Sequence, residues 1–343
     1  GNTEIYLFKQ IAFIMVGIMV IYFAHLVNYT FYSRAAQIAF LISLPLLFYT
    51  LFFGIKMNEG SRWIRLPLIN MTMQTSDFAR LALFMYLARL ISKKQALIKD
   101  FKKGFLPVIL PVAVTCALIA PANLSTALLL GASCLLLMFI GRVSTKHILM
   151  TIGLALIPIA FLISAAVIRH SKEKDEENIV AVKKTSSALF GRVDTWIGRM
   201  ESFIYGSKDE ADAGTYQSDM SKVAISKGGF FGVAPGNSTT RDYLPQAYND
   251  FIYAIIIEEY GLAGGVFIMF IYLVFLYRCI RIYKRCPFAF GAFLALGLSF
   301  TLAIQALANM AVAVGLFPVT GVALPLISMG GTSFIFTCLA IGI

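Results

Sequence analysis

Charge is scarce in this sequence, and acidic charge is the scarcest. Of 343 residues, 14% are charged and 59% hydrophobic, with 18 Asp and Glu against 29 Lys and Arg. Soluble domains carry about 25% charged residues, so this composition excludes an ordinary soluble fold and predicts a polytopic membrane protein. The apolar runs are continuous, which excludes the alternating pattern of a membrane β-barrel. The net charge of +11 then indicates membrane topology and contact with anionic lipid, and we expect no nucleic acid partner.

Cysteine and histidine are also few. The five cysteines form no CxxC motif, and the three histidines (His25, His147 and His170) are scattered along the chain. Neither pattern is typical of a zinc site or of a disulfide framework. We therefore expect free thiols and no metal site built from these residues.

Apolar segments that approach the length needed to cross a bilayer, about 20 residues in a helix, occur nine times. They predict an all-α fold, a polytopic transmembrane helix bundle that forms one domain over residues 1–343. Six spans fall in 1–168, a large extracytoplasmic loop in 169–248 and three spans in 249–343. The predicted spans are 8–27, 36–55, 77–92, 104–120, 123–141, 147–168, 249–277, 288–311 and 322–343.

Basic residues in short loops predict the orientation of the bundle. Lys and Arg are concentrated in 93–103, 141–147 and 278–287, and such loops usually face the cytoplasm. Nine alternating spans place these three loops on one side. The loops 56–76, 169–248 and 312–321 then face outward, with the amino end outside and the carboxyl end inside.

The long loop 169–248 has three distinct parts. The charged run RHSKEKDEEN (169–178) is typical of a solvated loop, and 178–203 has helical spacing of apolar residues, which predicts a helix on the membrane surface. The segment SKGGFFGVAPGNS (226–238) is rich in glycine. Glycines allow backbone N–H groups to close around an anion, although a plain flexible turn explains the composition equally well.

Ionisable and amide side chains gather toward the predicted outer ends of the spans, where they are functional candidates. Each has a structural alternative. Asp250 could serve the start of its helix, Asp77 and Arg80 could form an i,i+3 ion pair, and Gln305 with Asn309 could hydrogen-bond between helices. Glu258 would lie about 80° round the helix from Asp250 and about 12 Å deeper, so we expect it, rather than Glu259, to line the same cavity.

Four motifs in this order are more specific: GSRWI with QTSDFAR, GGFFGVAPGNS, YLPQAYNDFIYAIIIEEYGLAGG and GLFPVTGVALPLISMGGTS. Together they resemble the RodA/FtsW (SEDS) family of bacterial cell-wall glycosyltransferases over essentially the whole chain. Within that family, RVDTWIGRM and PANLSTALL are more similar to the division branch, FtsW-like, than to the elongation branch, RodA-like. The family has ten spans, so the resemblance implies one span more than the nine predicted here.

The resemblance implies an enzyme that polymerises lipid II, the undecaprenyl-diphosphate-linked disaccharide-pentapeptide, into glycan strands. The family's essential aspartate corresponds to Asp250, which we expect to be the general base. The chain departs from the family motifs at Gln246, Tyr248, Asn249, Met329 and Ala234, which leaves Asp250 as the firmest correspondence. The substrate-binding candidates are Asp77, Arg80, Lys222, Asn237, Ser238, Arg241, Glu258, Gln305, Asn309 and Ser328.

The resemblance also implies partners and a location. We expect a class B penicillin-binding protein transpeptidase of the division or elongation type, other divisome proteins, and a place in the bacterial inner membrane at the septum with the active site facing outward. It allows a divalent cation, Mg²⁺ or Mn²⁺, but the sequence identifies no ligand set for one. Two other functions stay open: a lipid II flippase, which would need a polar path to the inner leaflet, and a scaffold of the division machinery without catalysis.

Overall fold

The computed structural model describes residues 3–57, 60–65, 72–175, 190–205, 213–245, 247–329 and 331–343. Helices dominate, as predicted. In chain order they are α1 (Thr3–Leu26), α2 (Tyr29–Phe53), α3 (Thr75–Lys93), α4 (Leu106–Ile119), α5 (Leu124–Ile140), α6 (Thr145–Asp175), α7 (Phe190–Tyr205), α8 (Ala213–Gly228), α9 (Ile252–Arg285), α10 (Ala289–Ala313) and α11 (Gly331–Gly342).

Each predicted span overlaps one of these helices. In the described part of the chain, five segments are long and apolar enough to cross a membrane: Tyr29–Phe53, Phe101–Ile119, Thr145–Ile168, Ile252–Arg285 and Ala289–Ala313. Three apolar helices are shorter: Gln10–Leu26, Leu124–Ile140 and Gly331–Gly342. The total of nine spans therefore stays a prediction.

Several helix boundaries differ from the predictions; for example, α2 begins at Tyr29 rather than 36, and α9 ends at Arg285 rather than 277. The last predicted span begins at 322, but α11 begins at Gly331, because Pro325 cannot donate a helical hydrogen bond and Leu326 has a φ of 65°. The charged run after residue 168 was expected to be a loop, yet α6 continues to Asp175. Of the predicted surface helix, 190–203 is helical within α7, and 178–189 lies outside the described residues.

A small sheet occupies the predicted loop 56–76, where no strands were expected. Strands β1 (Ile55–Met57), β2 (Gly60–Arg65) and β3 (Thr72–Gln74) form an antiparallel sheet in the order β1-β2-β3. Trp63 pairs with Ile55 on one side and with Gln74 on the other. Because β3 ends at the residue before α3, the sheet fixes the position at which α3 enters the bundle.

Helices α3 and α10 form the centre of the bundle. Phe84 and Leu87 of α3 and Leu294 and Leu296 of α10 are fully buried. By contrast, α6 exposes large apolar side chains such as Phe161, a surface that suits hydrocarbon rather than water. A central helix is shielded from lipid by its neighbours, which explains how α3 accommodates polar residues.

Helix α9 is bent. Gly261 has φ 72° and ψ −177°, so the 34-residue helix consists of two segments, 252–260 and 262–285. The predicted span 249–277 was continuous and began before Asp250. Asp250 instead precedes the first helical residue, Ile252. The predicted angular relation of Asp250 to Glu258 on one straight helix is therefore wrong.

Candidate active site

Asp250 lies in the irregular turn that leads into α9. The turn is anchored by Leu244, Ala247 and Phe251, which are buried against Ile255 of α9 and Val312 of α10. Burial of three apolar side chains on both sides of Asp250 stabilises the turn at one position. Asp250 is itself partly exposed.

Three successive main-chain carbonyls at Asp250 are each held by a donor from the carboxyl-terminal part of the chain. The Met329 N–H donates to the carbonyl of Tyr248 at 3.0 Å. The Ser328 hydroxyl donates to the carbonyl of Asn249 at 2.5 Å, and the Asn309 amide donates to the carbonyl of Asp250 at 2.7 Å. We call this arrangement the carbonyl clamp. It fixes the backbone from which the Asp250 side chain projects.

Asn309 and Ser328 of the clamp, together with Gln305, also organise the segment 322–328. Asn309 Nδ2 also donates to the Val322 carbonyl at 2.8 Å, and Gln305 Nε2 donates to the Ala323 carbonyl at 2.9 Å. The Leu324 N–H donates to the Ser328 hydroxyl oxygen at 2.7 Å. Gln305 and Asn309, spaced i and i+4, thus share one face of α10 as predicted. Their amide nitrogens donate to main-chain carbonyls of non-helical segments. The bond between helices that the sequence raised as an alternative is made by the side-chain oxygen of Gln305, which accepts from Arg80 of α3.

Asp77 and Arg80 extend this buried network to α3. Arg80 Nη2 lies 3.7 Å from Asp77 Oδ1, and both side chains are largely buried. Arg80 Nη1 donates to the side-chain oxygen of Gln305. The i,i+3 ion pair is therefore present, and it links α3 to α10. The Arg80 guanidinium points into the protein's own network.

Glu258 is buried between α9 and residues 238–240. It is 1% exposed, and its carboxylate accepts hydrogen bonds from the Ser238 hydroxyl, from the Thr240 hydroxyl at 2.9 Å and from the Thr240 N–H at 3.3 Å. The sequence led us to expect Glu258 in the cavity with Asp250. The structure places it against 238–240 instead, because this partner set satisfies a carboxylate that hydrocarbon could not. Ser238, another substrate-binding candidate, is committed to the same contact.

The glycine-rich loop 229–237 supplies the main-chain hydrogen bonds that α9 lacks at its bend. Beyond Gly261, the N–H groups of Leu262 and Ala263 would normally donate to the carbonyls of Glu258 and Glu259. They donate instead to Gly229 and Phe230 of the loop, at 2.9 and 3.4 Å. The freed carbonyls of Glu258 and Glu259 accept from the loop N–H groups of residues 233 and 234, at 2.9 and 3.1 Å. Two helical bonds are thus replaced by four between loop and helix.

This exchange changes the interpretation of the glycines. Gly232 has a φ of 81°, and a Cβ there would lie 2.2 Å from the Glu259 carbonyl oxygen. The N–H groups of residues 232, 233, 234 and 237 all bind carbonyls of this chain. The anion site that the sequence allowed is therefore not formed by these four N–H groups, since two of them bind α9 and two bind the carbonyls of residues 228 and 234.

The remaining candidates lie on α8 and in the segment between α8 and α9. Lys222 Nζ lies 3.0 Å from Asp219, and both side chains are more than half exposed. Arg241 Nε lies 3.4 Å from Asp242, and Asn237 is exposed with its amide donating to the Val233 carbonyl at 3.2 Å. Lys222 and Arg241 are thus more accessible than Arg80. Among the residues that the structure describes, no three His, Cys, Asp or Glu side chains come together.

Sequence reasoning missed the main-chain members of the clamp. The N–H of Met329 and the carbonyls of Tyr248 and Asn249 carry no side-chain signal. The proximity of LPQAYND to LPLISMGG in space was equally hidden. The presence of Pro325 shortly before Ser328 and Met329 was the available indication of a non-helical segment there.

The fold and the site define an integral membrane protein with a buried polar network beneath one partly exposed aspartate. A family model described as a cell cycle protein and named for FtsW, RodA and SpoVE matches residues 1–343. The chain belongs to this family.

Proteins that are similar in sequence and proteins that are similar in structure carry the names of this same family. The chain is 32% identical to the probable peptidoglycan glycosyltransferase FtsW of Trichlorobacter lovleyi over 98% of this chain and 82% of that protein. It is 29% identical to the stage V sporulation protein E of Bacillus subtilis over 98% and 84%. A chain solved in work on a peptidoglycan synthase complex that coordinates polymerization and crosslinking matches with a TM-score of 0.75 and 22% identity, over 99% and 88%. Thermus thermophilus RodA matches with a TM-score of 0.66 and 20% identity, over 98% and 85%.

Proposed function

We propose that this chain is a peptidoglycan glycosyltransferase that polymerises lipid II at the outer leaflet, with Asp250 as the general base. The observation that carries the proposal is the carbonyl clamp, which holds the backbone of one partly exposed carboxylate in a family whose FtsW relatives are named for this activity. The FtsW names also support a role in septal wall synthesis.

The reaction requires one proton to be removed. The 4-hydroxyl oxygen of one lipid-linked sugar forms a bond to the anomeric carbon of another, and the bond from that carbon to the diphosphate oxygen breaks. The hydroxyl proton passes to the Asp250 carboxylate, and the diphosphate leaves with the bonding electron pair. A positioned base contributes about 10²–10⁴-fold to such a step.

The clamp suits this role because a general base must stay within hydrogen-bonding reach of its proton. Side-chain position depends on a backbone held in place by surrounding contacts. Asn309 and Ser328, which the sequence suggested as substrate-binding, instead act on the main chain at 249–250. We therefore assign them as positioning residues in the proposed reaction.

Diphosphate is a good leaving group, so the site needs cations more than a second acid. Lys222 and Arg241 are accessible on the outer loop, and both are assigned to the diphosphate. Arg80 maintains the network through Gln305 and Asp77. A divalent cation is allowed by the family resemblance alone. Mg²⁺ is commonly held by one or two carboxylates with substrate phosphates, and no step of the proposed reaction depends on it.

The location and partners belong to the same proposal. Basic loops between the spans indicate that the end of the bundle with Asp250 faces outward. The synthase complex of similar fold couples polymerization to crosslinking, which supports a class B penicillin-binding protein as the partner here. Divisome proteins are proposed on the division-type names of the sequence relatives.

A lipid II transporter is less well supported. It would need polar groups continuing through the bundle, but two buried hydroxyls within the predicted spans bind carbonyls of their own helices. Thr115 donates to Pro111 at 2.8 Å and Ser133 donates to Leu129 at 2.8 Å. Such hydroxyls offer little to a charged headgroup in transit.

Polymerisation of lipid II by the purified chain tests the proposal, with and without its transpeptidase. Asp250→Ala and Asp250→Asn should lower glycan synthesis about 10²-fold or more while expression and partner binding persist. Asp100→Asn is the control, since this exposed carboxylate lies before α4 and accepts from the Lys103 N–H at 2.8 Å, apart from the residues assigned to the reaction. Near-normal polymer from both Asp250 variants would remove Asp250 from catalysis. Inactivity of the wild type combined with lipid II transport in vesicles would favour the transporter.

A further inference from the structure

The glycine-rich loop carries a pair of exposed aromatic residues outside the predicted spans. Phe231 is 84% exposed, more than any other large apolar side chain in the described part of the chain. Phe230 is beside it, 62% exposed, with the two ring centroids 5.0 Å apart. Two adjacent exposed phenylalanines are costly in water, since each buries much apolar area when covered.

The bend in α9 places this pair relative to the membrane. Arg281, in the basic turn predicted to face the cytoplasm, follows Gly261 by 20 residues in the same helix, or about 30 Å along its axis. The hydrocarbon core of a bilayer is about 30 Å thick. With Arg281 at the inner boundary, Gly261 therefore lies at the outer boundary, and segment 252–260 lies beyond it.

The loop is held at this same level. Its carbonyls at Gly229 and Phe230 bind the N–H groups just after Gly261, and a Cβ at Gly261 would lie 2.2 Å from the Phe230 carbonyl oxygen. Exposed Tyr260 and Leu262 flank the bend, so the apolar surface of the loop continues the exposed apolar surface of α9. Aromatic residues concentrate at this depth in membrane proteins.

The main chain of the loop also suits a poorly hydrated environment. Unpaired backbone groups cost several kcal/mol in hydrocarbon, but the N–H groups of residues 232, 233 and 234 are all paired. The polar residues that follow, Ser238 and Thr240, point to buried Glu258.

We propose that Phe230 and Phe231 insert into the outer boundary of the bilayer, between lipid headgroups and the upper acyl chains. The inserted pair fixes the depth of the glycine-rich loop in the membrane. Through the four hydrogen bonds between the loop and α9, it also fixes the position of the turn that carries Asp250. The partner of this surface is the bilayer itself. The proposal does not depend on the enzymatic assignment.

Tryptophan fluorescence in nanodiscs tests the insertion. The chain contains two tryptophans, Trp63 and Trp196, which are replaced by Phe before Phe231→Trp is introduced. Lipids brominated near the headgroup end of the acyl chain should quench the emission of this introduced indole more strongly than lipids brominated near the tail end. The emission should also shift to shorter wavelength relative to an exposed tryptophan.

Two matched positions calibrate the depth. Phe270→Trp, in the lipid-exposed part of α9, should be quenched most strongly by the deep bromine. Tyr216→Trp, on α8, should not be quenched, because α8 runs beside the start of α9, with Gly228 near Ile257 and Met220 packed against the cluster that contains Phe251, so residue 216 lies farther from the membrane. Unquenched emission at long wavelength from the Phe231→Trp variant overturns the proposal. A shift of that emission on adding the transpeptidase, without bromine quenching, overturns it in favour of a protein contact.

A second experiment tests insertion without the tryptophan replacements, which could themselves impair folding. Phe230→Ser with Phe231→Ser, in the otherwise native chain in nanodiscs, should raise hydrogen exchange at 229–236 and 262–263. Phe267→Ser, equally exposed to lipid at 62% but away from the loop, should leave that exchange unchanged. Unchanged exchange in the double variant contradicts insertion.

Discussion

Asn309 of α10 donates its side-chain amide to the main-chain carbonyl of Asp250 at 2.7 Å, across 59 residues of sequence. The same nitrogen donates to Val322 at 2.8 Å. One buried amide thus holds together the turn that carries the proposed base and the segment that precedes α11. Its removal leaves two carbonyls without this donor.

Asn309→Ala should reduce both activity and stability. Each buried group left unpaired costs about 1–3 kcal/mol, so we expect a lower unfolding temperature and a fall in kcat for polymerisation. Ser299→Ala is the control, because this buried hydroxyl on the same helix binds Leu296 of its own helix at 2.9 Å. A positioning role predicts that kcat falls more than KM rises. Unchanged kcat in Asn309→Ala, measured below its unfolding temperature, would contradict it.

Gly232→Ala should separate the glycine-rich loop from α9. The added Cβ meets the Glu259 carbonyl at 2.2 Å, and the φ of 81° is itself strained for alanine. We expect faster proteolysis within 229–237 and a lower polymerisation rate. Gly229→Ala tests the backbone effect alone, since its φ is also positive but nothing lies within 4 Å. Equal effects of the two variants would show that close packing at Gly232 is unimportant.

Glu258→Gln should loosen residues 238–240 without changing the size of the side chain. The amide of Gln presents two donors where the carboxylate accepts from Ser238 and Thr240, so some donors lose their acceptor. The loss should appear as increased hydrogen exchange at 238–240 and a lower unfolding temperature. Glu259→Gln, whose residue is less buried, serves as the comparison and should have the smaller effect.

Replacing one member of the Asp77–Arg80 ion pair should destabilise the protein more, per residue changed, than replacing both members. Loss of one partner leaves a charge buried without its counterpart, at about 3–5 kcal/mol. Arg80→Ala should therefore lower the free energy of unfolding by about that amount, and Asp77→Ala with Arg80→Ala by less than the sum of the single changes. Denaturation of all three variants in one detergent gives the coupling energy. Strict additivity would show that the 3.7 Å contact contributes no coupling.

The sequence allowed the helices to be predicted better than the site. Continuous apolar segments located in outline the five described helices that are long and apolar enough to cross a membrane, and the spacing of Gln305 and Asn309 correctly placed them on one face. Main-chain contacts were beyond prediction, because a carbonyl such as that of Asn249 is present in every residue. The bend was hidden for a similar reason. Gly261, Gly264 and Gly265 look equivalent in the sequence, yet Gly261 alone among them has a positive φ.

The interpretation of Glu258 failed because its depth was measured along a straight helix. Once α9 bends at Gly261, the segment 252–260 no longer follows the axis of the membrane span. A carboxylate that appeared to intrude into hydrocarbon then belongs to the outer part of the molecule, where loop hydroxyls and an N–H are available.

The four hydrogen bonds around Gly261 make the two segments of chain mutually dependent. Straightening α9 would return its carbonyls to Leu262 and Ala263 and would expel residues 229–234 at the same time. The bent helix and the docked loop therefore satisfy each other's main-chain groups, and moving one without the other would leave donors and acceptors without partners. Any force that displaces the glycine-rich loop would also act on the first segment of α9, which directly follows Asp250.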